Sequence, residues 1–190
     1  HEIWITAVKA RRMLAARDVS DALQLLHARI LKFSARGKDR DLAPLYLLLA
    51  KAYQSQDTLD PSDIDNREQY YRQADARLDR GDTLRAEVLA GLGRLILASD
   101  QQQAVQRAHE MFTQAAELYP SEPAAVDAWI GKGDCEARLG MHGEAHESFA
   151  RAAERLAQAP AAYPRKDLLE RTIRIHVSTA NEKQDFERSL

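Results

Sequence analysis

Two stretches of the chain repeat one pattern of large and small residues, and that repetition limits the possible fold more than any other feature. Trp129, Gly133, Ala145, Phe149 and Ala152 in the later stretch match Leu89, Gly93, Ala108, Phe112 and Ala115 in the earlier one, which Pro120 closes. The pairs Ala108/Ala145, Phe112/Phe149 and Ala115/Ala152 are each 37 residues apart, while Gly93 and Gly133 are 40 apart because the turn at SDQQQ is three residues longer. A period of this size marks a protein built from one supersecondary unit used several times. Such a unit cannot bury its apolar face alone, so its neighbour must cover it, and stability becomes a sum of unit and nearest-neighbour contributions.

The units are helical. Apolar residues recur at helical spacing in segments separated by short polar breaks, and no stretch sustains the alternation of a strand; RTIRIHVST at 171–179 comes nearest but is short and flanked by good helix formers. Only 8 Gly and 6 Pro occur, mostly between the periodic segments. Helices are predicted over 3–16, 19–35, 40–55, 61–79, 82–98, 101–118, 123–139, 142–158 and 166–180, with a further one beginning at Asp185. Asp60 before Pro61 and Asp82 before TLRAEVLA are expected N-caps. Gly37, Gly81 and Gly140 sit where a left-handed residue would end a helix.

The combined pattern resembles the tetratricopeptide repeat, W-x2-L-G-x2-Y followed by A-x3-F and a closing Ala and Pro. The resemblance is fullest over 86–155. Before that, Tyr46, Leu49, Ala50 and Tyr53 match the first helix of a unit, and Tyr71 with Ala74 the second, with Arg67 in place of the small Ala. Ala10, Met13, Ala22 and Leu26 keep the alternation without the aromatics. The resemblance implies an all-α fold, an α-solenoid of antiparallel helix pairs. About four units are expected, at 3–36, 40–80, 82–120 and 123–159, plus a C-terminal helix at 166–180, all in one domain excerpted from a longer protein. Small residues such as Gly133 and Ala145 would let paired helices approach, and large ones such as Trp129 and Phe149 would fill the space toward the next unit.

Several residues could suggest chemistry instead. Gly131 and Gly133 resemble a phosphate loop, but they fall within a helix and follow no strand; packing at Gly133 and simple tolerance at Gly131 are expected. His142 and His146 share a helical face, yet HExxH is broken by Gly143 and zinc needs three or four convergent ligands. They read as solvated turn histidines, and Cys135 as a half-buried seam residue rather than a nucleophile, since no base or oxyanion site is flagged. His27, His109 and His176 read as surface or boundary residues. DTLDPSDIDN lacks the glycine and terminal Glu of a calcium loop. No catalytic residue, metal or cofactor is therefore expected.

With 27 basic and 29 acidic residues, the molecule has no large field to draw nucleic acid or an anionic membrane. RRMLAAR and SARGKDRD lack interleaved aromatics and read as solvated faces. No apolar run reaches the length of a membrane span. One cysteine excludes an internal disulfide and leaves the compartment open, with the cytoplasm slightly favoured.

In the family this chain resembles, the first helix of each unit lines a concave groove that holds a peptide or a partner's helix. The resemblance places Arg11, Lys51, Arg94 and Asp134, each just after a small packing residue, on that face, with Leu47 and Ala90 in an apolar floor and Arg138 a turn further on. The expectation is a non-catalytic scaffold gripping a protein or peptide segment whose acidic groups pair with Arg11, Lys51 and Arg94. The Asn positions with which some members clamp a chaperone's C-terminus are not matched. The alternative is a sensor or regulatory arm of a larger signalling or transcriptional regulator, and apolar end faces leave room for self-association.

Overall fold

The computed structural model describes residues 1–37, 39–56, 61–98, 101–120 and 122–158. The helix expected over 166–180, the one from Asp185 and the Asp60 cap lie outside the described residues. Among those residues the structure is entirely helical. It comprises α1 (Glu2–Ala15), α2 (Val19–Ser34), a 3-10 turn (Asp39–Leu42), α3 (Ala43–Gln54), α4 (Pro61–Asp75), α5 (Leu84–Leu97), α6 (Gln102–Leu118), α7 (Ala124–Arg138) and α8 (His142–Gln158). The chain forms two compact units, His1–Val88 and Leu89–Leu190, with the division inside α5.

In the first unit α1 packs on α2 and α3, and α3 on α4. Ala10, Ala22, Ala50 and Ala74 are completely buried, so the absence of bulk lets the helix backbones approach. Leu26, Phe33, Leu45 and Leu49 fill the core between them. Tyr46 and Tyr53 lie two turns apart on α3, and both stack on Tyr70 of α4, with interplanar angles of 25° and 21°. His27 meets Tyr53 and Tyr70 edge-on. Burial, then the neighbouring Tyr53, pushes the Tyr70 phenol up to about 12, and burial lowers the His27 pKa. Arg77, just past the end of α4, lies 4.5 Å over the Tyr46 ring while its Nη2 donates to Asp39 at 2.8 Å, so it ties the turn after α4 to α3 and the 3-10 turn. That turn is where the sequence places the first residues of a helix over 40–55. The α-helix begins only at Ala43, with Pro44 in its first turn, where a missing N–H costs nothing.

The second unit is organised by two phenylalanine rings. Phe112 of α6 is completely buried between Gly93 of α5 and Gly131 of α7. A Cβ on Gly93 would lie 3.0 Å from that ring, and one on Gly131 would overlap it more severely still. Gly131 is therefore a packing position and not a merely tolerated glycine, because α7 can cross the ring only where it has no side chain. Phe149 of α8 repeats the arrangement, meeting a Cβ on Gly133 at 2.7 Å.

Helix ends follow local chemistry. The Asp82 carboxylate accepts the Leu84 N–H at 2.9 Å, the cap expected at the start of α5. Gly140, at φ 78°, lets Met141 N–H return to the Glu136 carbonyl at 2.8 Å, and Gly37 has φ 70°. Gly81 differs from expectation, for it has no positive φ. At the end of α1 the same device is built on a non-glycine residue. Arg17, at φ 64°, allows Asp18 N–H to reach the Met13 carbonyl at 2.9 Å. A side chain in this conformation carries a steric penalty that glycine lacks. Arg17→Gly should raise stability by about 0.5–1 kcal/mol, read as a higher denaturation midpoint at unchanged slope; a lower midpoint would show that Arg17 is not strained.

Candidate functional site

The sequence-derived row of inner-face residues lies on α1, α3, α5 and α7, but the side chains divide into three groups. Leu47 and Ala90 are each only 1% exposed. They lie in the packed core rather than on an open floor. The cations Lys51, Arg94 and Arg138 have carboxylates of the chain beside them. Lys51 pairs with Glu87, Arg94 with Asp127 at 3.2 Å, and Arg138 with Asp134 at 3.3 Å while also donating to the Leu97 carbonyl at 3.3 Å. Arg11 is exposed and makes no ion pair among the described residues.

Arg11 also belongs to a cleft of about 400 Å³ in the first unit. Its apolar walls are Ile3, Trp4 and Val8 of α1, Pro44 of α3 and Leu84 of α5, and Asp41 of the 3-10 turn joins Arg11 as a second charged lining residue. Trp4 is 66% exposed although indole is among the most apolar of side-chain bodies. The sequence reading placed Arg11 but missed Trp4, whose spacing of i, i+4, i+7 with Val8 and Arg11 could have located the strip. In the second unit, Arg138 lines another cleft of about 430 Å³ with Gln102, Val105 and Leu139.

Of the residues that suggested chemistry, Gly131, Gly133 and Cys135 are packed inside the helix layers. Cys135 is fully buried rather than half-buried, and burial, then the nearby Asp134, pushes its thiol up to about 12, where little nucleophilic thiolate remains. His146 is exposed and His142 partly buried. Among the described residues no three His, Cys, Asp or Glu side chains gather as metal ligands. No helix among them is long and apolar enough to cross a membrane.

One polar cluster escaped the sequence reading. Glu136 of α7 is only 2% exposed, and its carboxylate accepts from Lys132 Nζ at 2.7 Å and from Ser148 Oγ of α8 at 2.6 Å. His109 of α6, a partly buried boundary residue, approaches it at 3.3 Å. Ser148 donates to the carboxylate and not to the imidazole, and it is itself buried, so the group is not a nucleophile with its base. The tetratricopeptide pattern has Leu and Tyr where this chain has Lys132 and Glu136, so the departure was visible in the sequence. Lys132 and Arg151 additionally flank the Trp129 ring at 5.2 and 5.0 Å.

These elements define an all-α helical-repeat protein. It is similar in fold to the nearly identical TPR-like repeats of a candidate kinesin light chain from Podosopora anserina, with a TM-score of 0.68 at 16% identity over 99% of this chain and 89% of that one. It is also similar to MamA, with a TM-score of 0.56 at 19% identity, covering 95% of this chain and 97% of that one. No protein-family model and no curated protein matches the sequence.

The buried cluster yields a double-substitution test. Removing one partner of a buried pair leaves an uncompensated charge, whereas an apolar replacement of both can be neutral or better. Glu136→Ala should cost about 3–5 kcal/mol, and Lys132→Leu with Glu136→Tyr together less than about 1 kcal/mol. Chemical denaturation of both variants decides this, and equal losses would contradict it.

Proposed function

We propose that this chain is a non-catalytic protein-interaction scaffold whose first-helix faces hold segments of a protein partner. In the first unit the receiving face is that of α1 and α3; in the second it is that of α5 and α7. The observation that carries the reading is the open apolar cleft on α1, α3 and the start of α5, with the exposed Trp4 along it and Arg11, which makes no ion pair among the described residues. Soluble surfaces rarely leave large apolar side chains together in water without an interaction to cover them. The fold likeness to TPR-like repeats supports the same reading.

The cations along these faces differ in how readily they meet an acidic partner. Lys51 with Glu87 and Arg94 with Asp127 are half-exposed pairs, each about a third or more open to solvent. Such pairs contribute about 0–1 kcal/mol, so a partner's carboxylate can compete for the cation at small cost. Each pair is neutral as a whole, however, and attracts an acidic segment from a distance less than a lone guanidinium does. Arg11 is thus the principal acidic-group receptor, and Lys51, Arg94 and Arg138, with Asp134 beside it, orient polar groups at shorter range.

Photo-crosslinkers placed in the intact parent protein test the proposal. Probes at Arg11, Lys51 and Arg94 on first helices should trap the partner, and probes at Gln24 of α2 and Arg151 of α8 should not; trapping confined to the second-helix positions would overturn it.

A further inference from the structure

We propose that Tyr53 of α3 and Tyr70 of α4 are a site of oxidative crosslinking, where a one-electron oxidant joins the two rings as dityrosine and the His27 imidazole of α2 takes up the phenol proton. The inference concerns the packing between helices and is independent of the reading of first-helix faces.

The geometry brings each participant into place. The Tyr53 and Tyr70 rings are stacked, with centroids 5.5 Å apart and planes 21° from parallel. Their hydroxyls are hydrogen-bonded to each other, so the ortho carbons, each one bond from the carbon that carries the hydroxyl, are neighbours as well. Tyr53 Oη also lies 3.2 Å from His27 Nε2, on a ring that meets both tyrosines edge-on. A phenol becomes a far stronger acid once it has lost an electron, and a base already in hydrogen-bond contact lets electron and proton leave together. Burial lowers the His27 pKa, which leaves the imidazole neutral at pH 7 with a lone pair for the Tyr53 hydroxyl. His27 is exposed on its other side and can pass the proton on to water.

The adjoining tyrosines are differently placed. Tyr46 stacks on Tyr70 too, at 6.3 Å, but the Arg77 guanidinium lies 4.5 Å over its ring, and a cation on the ring face opposes loss of an electron. Tyr71 is only 2% exposed, and its hydroxyl donates to the Gln54 amide oxygen, which is no base.

The step balances. Tyr53 gives one electron to the oxidant and its hydroxyl proton to His27 Nε2. Tyr70 gives the second electron, and its proton leaves through the Tyr53 oxygen to the same imidazole once that has released the first. The two phenoxyl radicals pair to form one C–C bond between ortho carbons, and the two ortho C–H bonds break as those hydrogens move, as protons, to restore the hydroxyls. The net loss is two electrons and two protons. The new bond fastens α3 to α4 and closes the chain between them, as a disulfide would.

Brief illumination of the intact chain with tris(bipyridyl)ruthenium(II) and persulfate, diluted so that chains rarely meet, provides the test; persulfate accepts the two electrons and becomes two sulfates. Dityrosine fluorescence should appear in the monomer. Trypsin should then release the 52–67 and 68–72 peptides joined, with the loss of two hydrogen atoms. Tyr53→Phe and Tyr70→Phe should each abolish the product, and Tyr46→Phe and Tyr71→Phe should leave it. His27→Asn, which keeps a hydrogen-bonding group but no base, should slow formation about a hundredfold with the helical circular dichroism unchanged, and His27→Leu should do the same. A crosslink that runs through Tyr46 or Tyr71, dityrosine formed only between chains, no dityrosine at all, or an undiminished rate in both His27 variants overturns the proposal.

Discussion

The contact between an aromatic ring and a glycine of the next helix is the constraint on which the second unit depends. Phe112 lies against Gly93 and Gly131, and Phe149 against Gly133; a methyl group on Gly131 or Gly133 would collide with the ring, and one on Gly93 would press tightly against it. A ring in such a notch buries its full apolar area, worth about 1.5–3 kcal/mol, and at the same time fixes where one helix crosses another. Because Phe112 touches glycines on both α5 and α7, one side chain joins its own helix pair to the following one. This is how a short two-helix module acquires the cover that it cannot provide for itself. The first unit reaches the same end with fully buried alanines and a stacked tyrosine trio in place of glycine notches.

That division of labour shapes the surface. Rings and small residues on facing helices are consumed by packing, so the groups left exposed are those that point away from the seams. On α1 these are Trp4, Val8 and Arg11, which together form a strip with an apolar anchor and a cation. On α3, α5 and α7 the cations are partly satisfied within the chain. Charge on these helices is therefore uneven: among the described residues Arg11 has no ion-pair partner, while Lys51, Arg94 and Arg138 do.

Much of the fold was legible from the sequence because helical spacing and a fixed period are properties of order alone. The ends of α2, α6, α7 and α8 fall within a residue of expectation, since polar breaks and Gly140 mark them locally. What sequence spacing could not supply was the identity of the neighbour opposite each position. Gly131 looked idle because its partner, Phe112, belongs to the preceding module. Leu47 and Ala90 looked like a floor because a row on a helix gives direction only to within a turn, and a shift of that size exchanges surface for core. Lys51 and Arg94 looked free because Glu87 and Asp127 lie more than thirty residues away along the chain and come close only on folding. Glu136 was missed for a different reason: it occupies the position of the pattern's Tyr, and the spacing alone did not show that its carboxylate is buried with partners on α6 and α8.

The account stands on the ring and the notch being one interaction, and a double-mutant cycle on Phe112 and Gly131 measures that directly. Gly131→Ala should cost about 1–3 kcal/mol in the parent chain, the usual penalty for overfilling a packed site. In a Phe112→Leu background, where the smaller side chain leaves room for the methyl group, the same change should cost less than half as much, giving a clear coupling energy. An identical cost in both backgrounds would show that Gly131 is not there for the ring, and the ring-and-notch packing scheme would lose its basis.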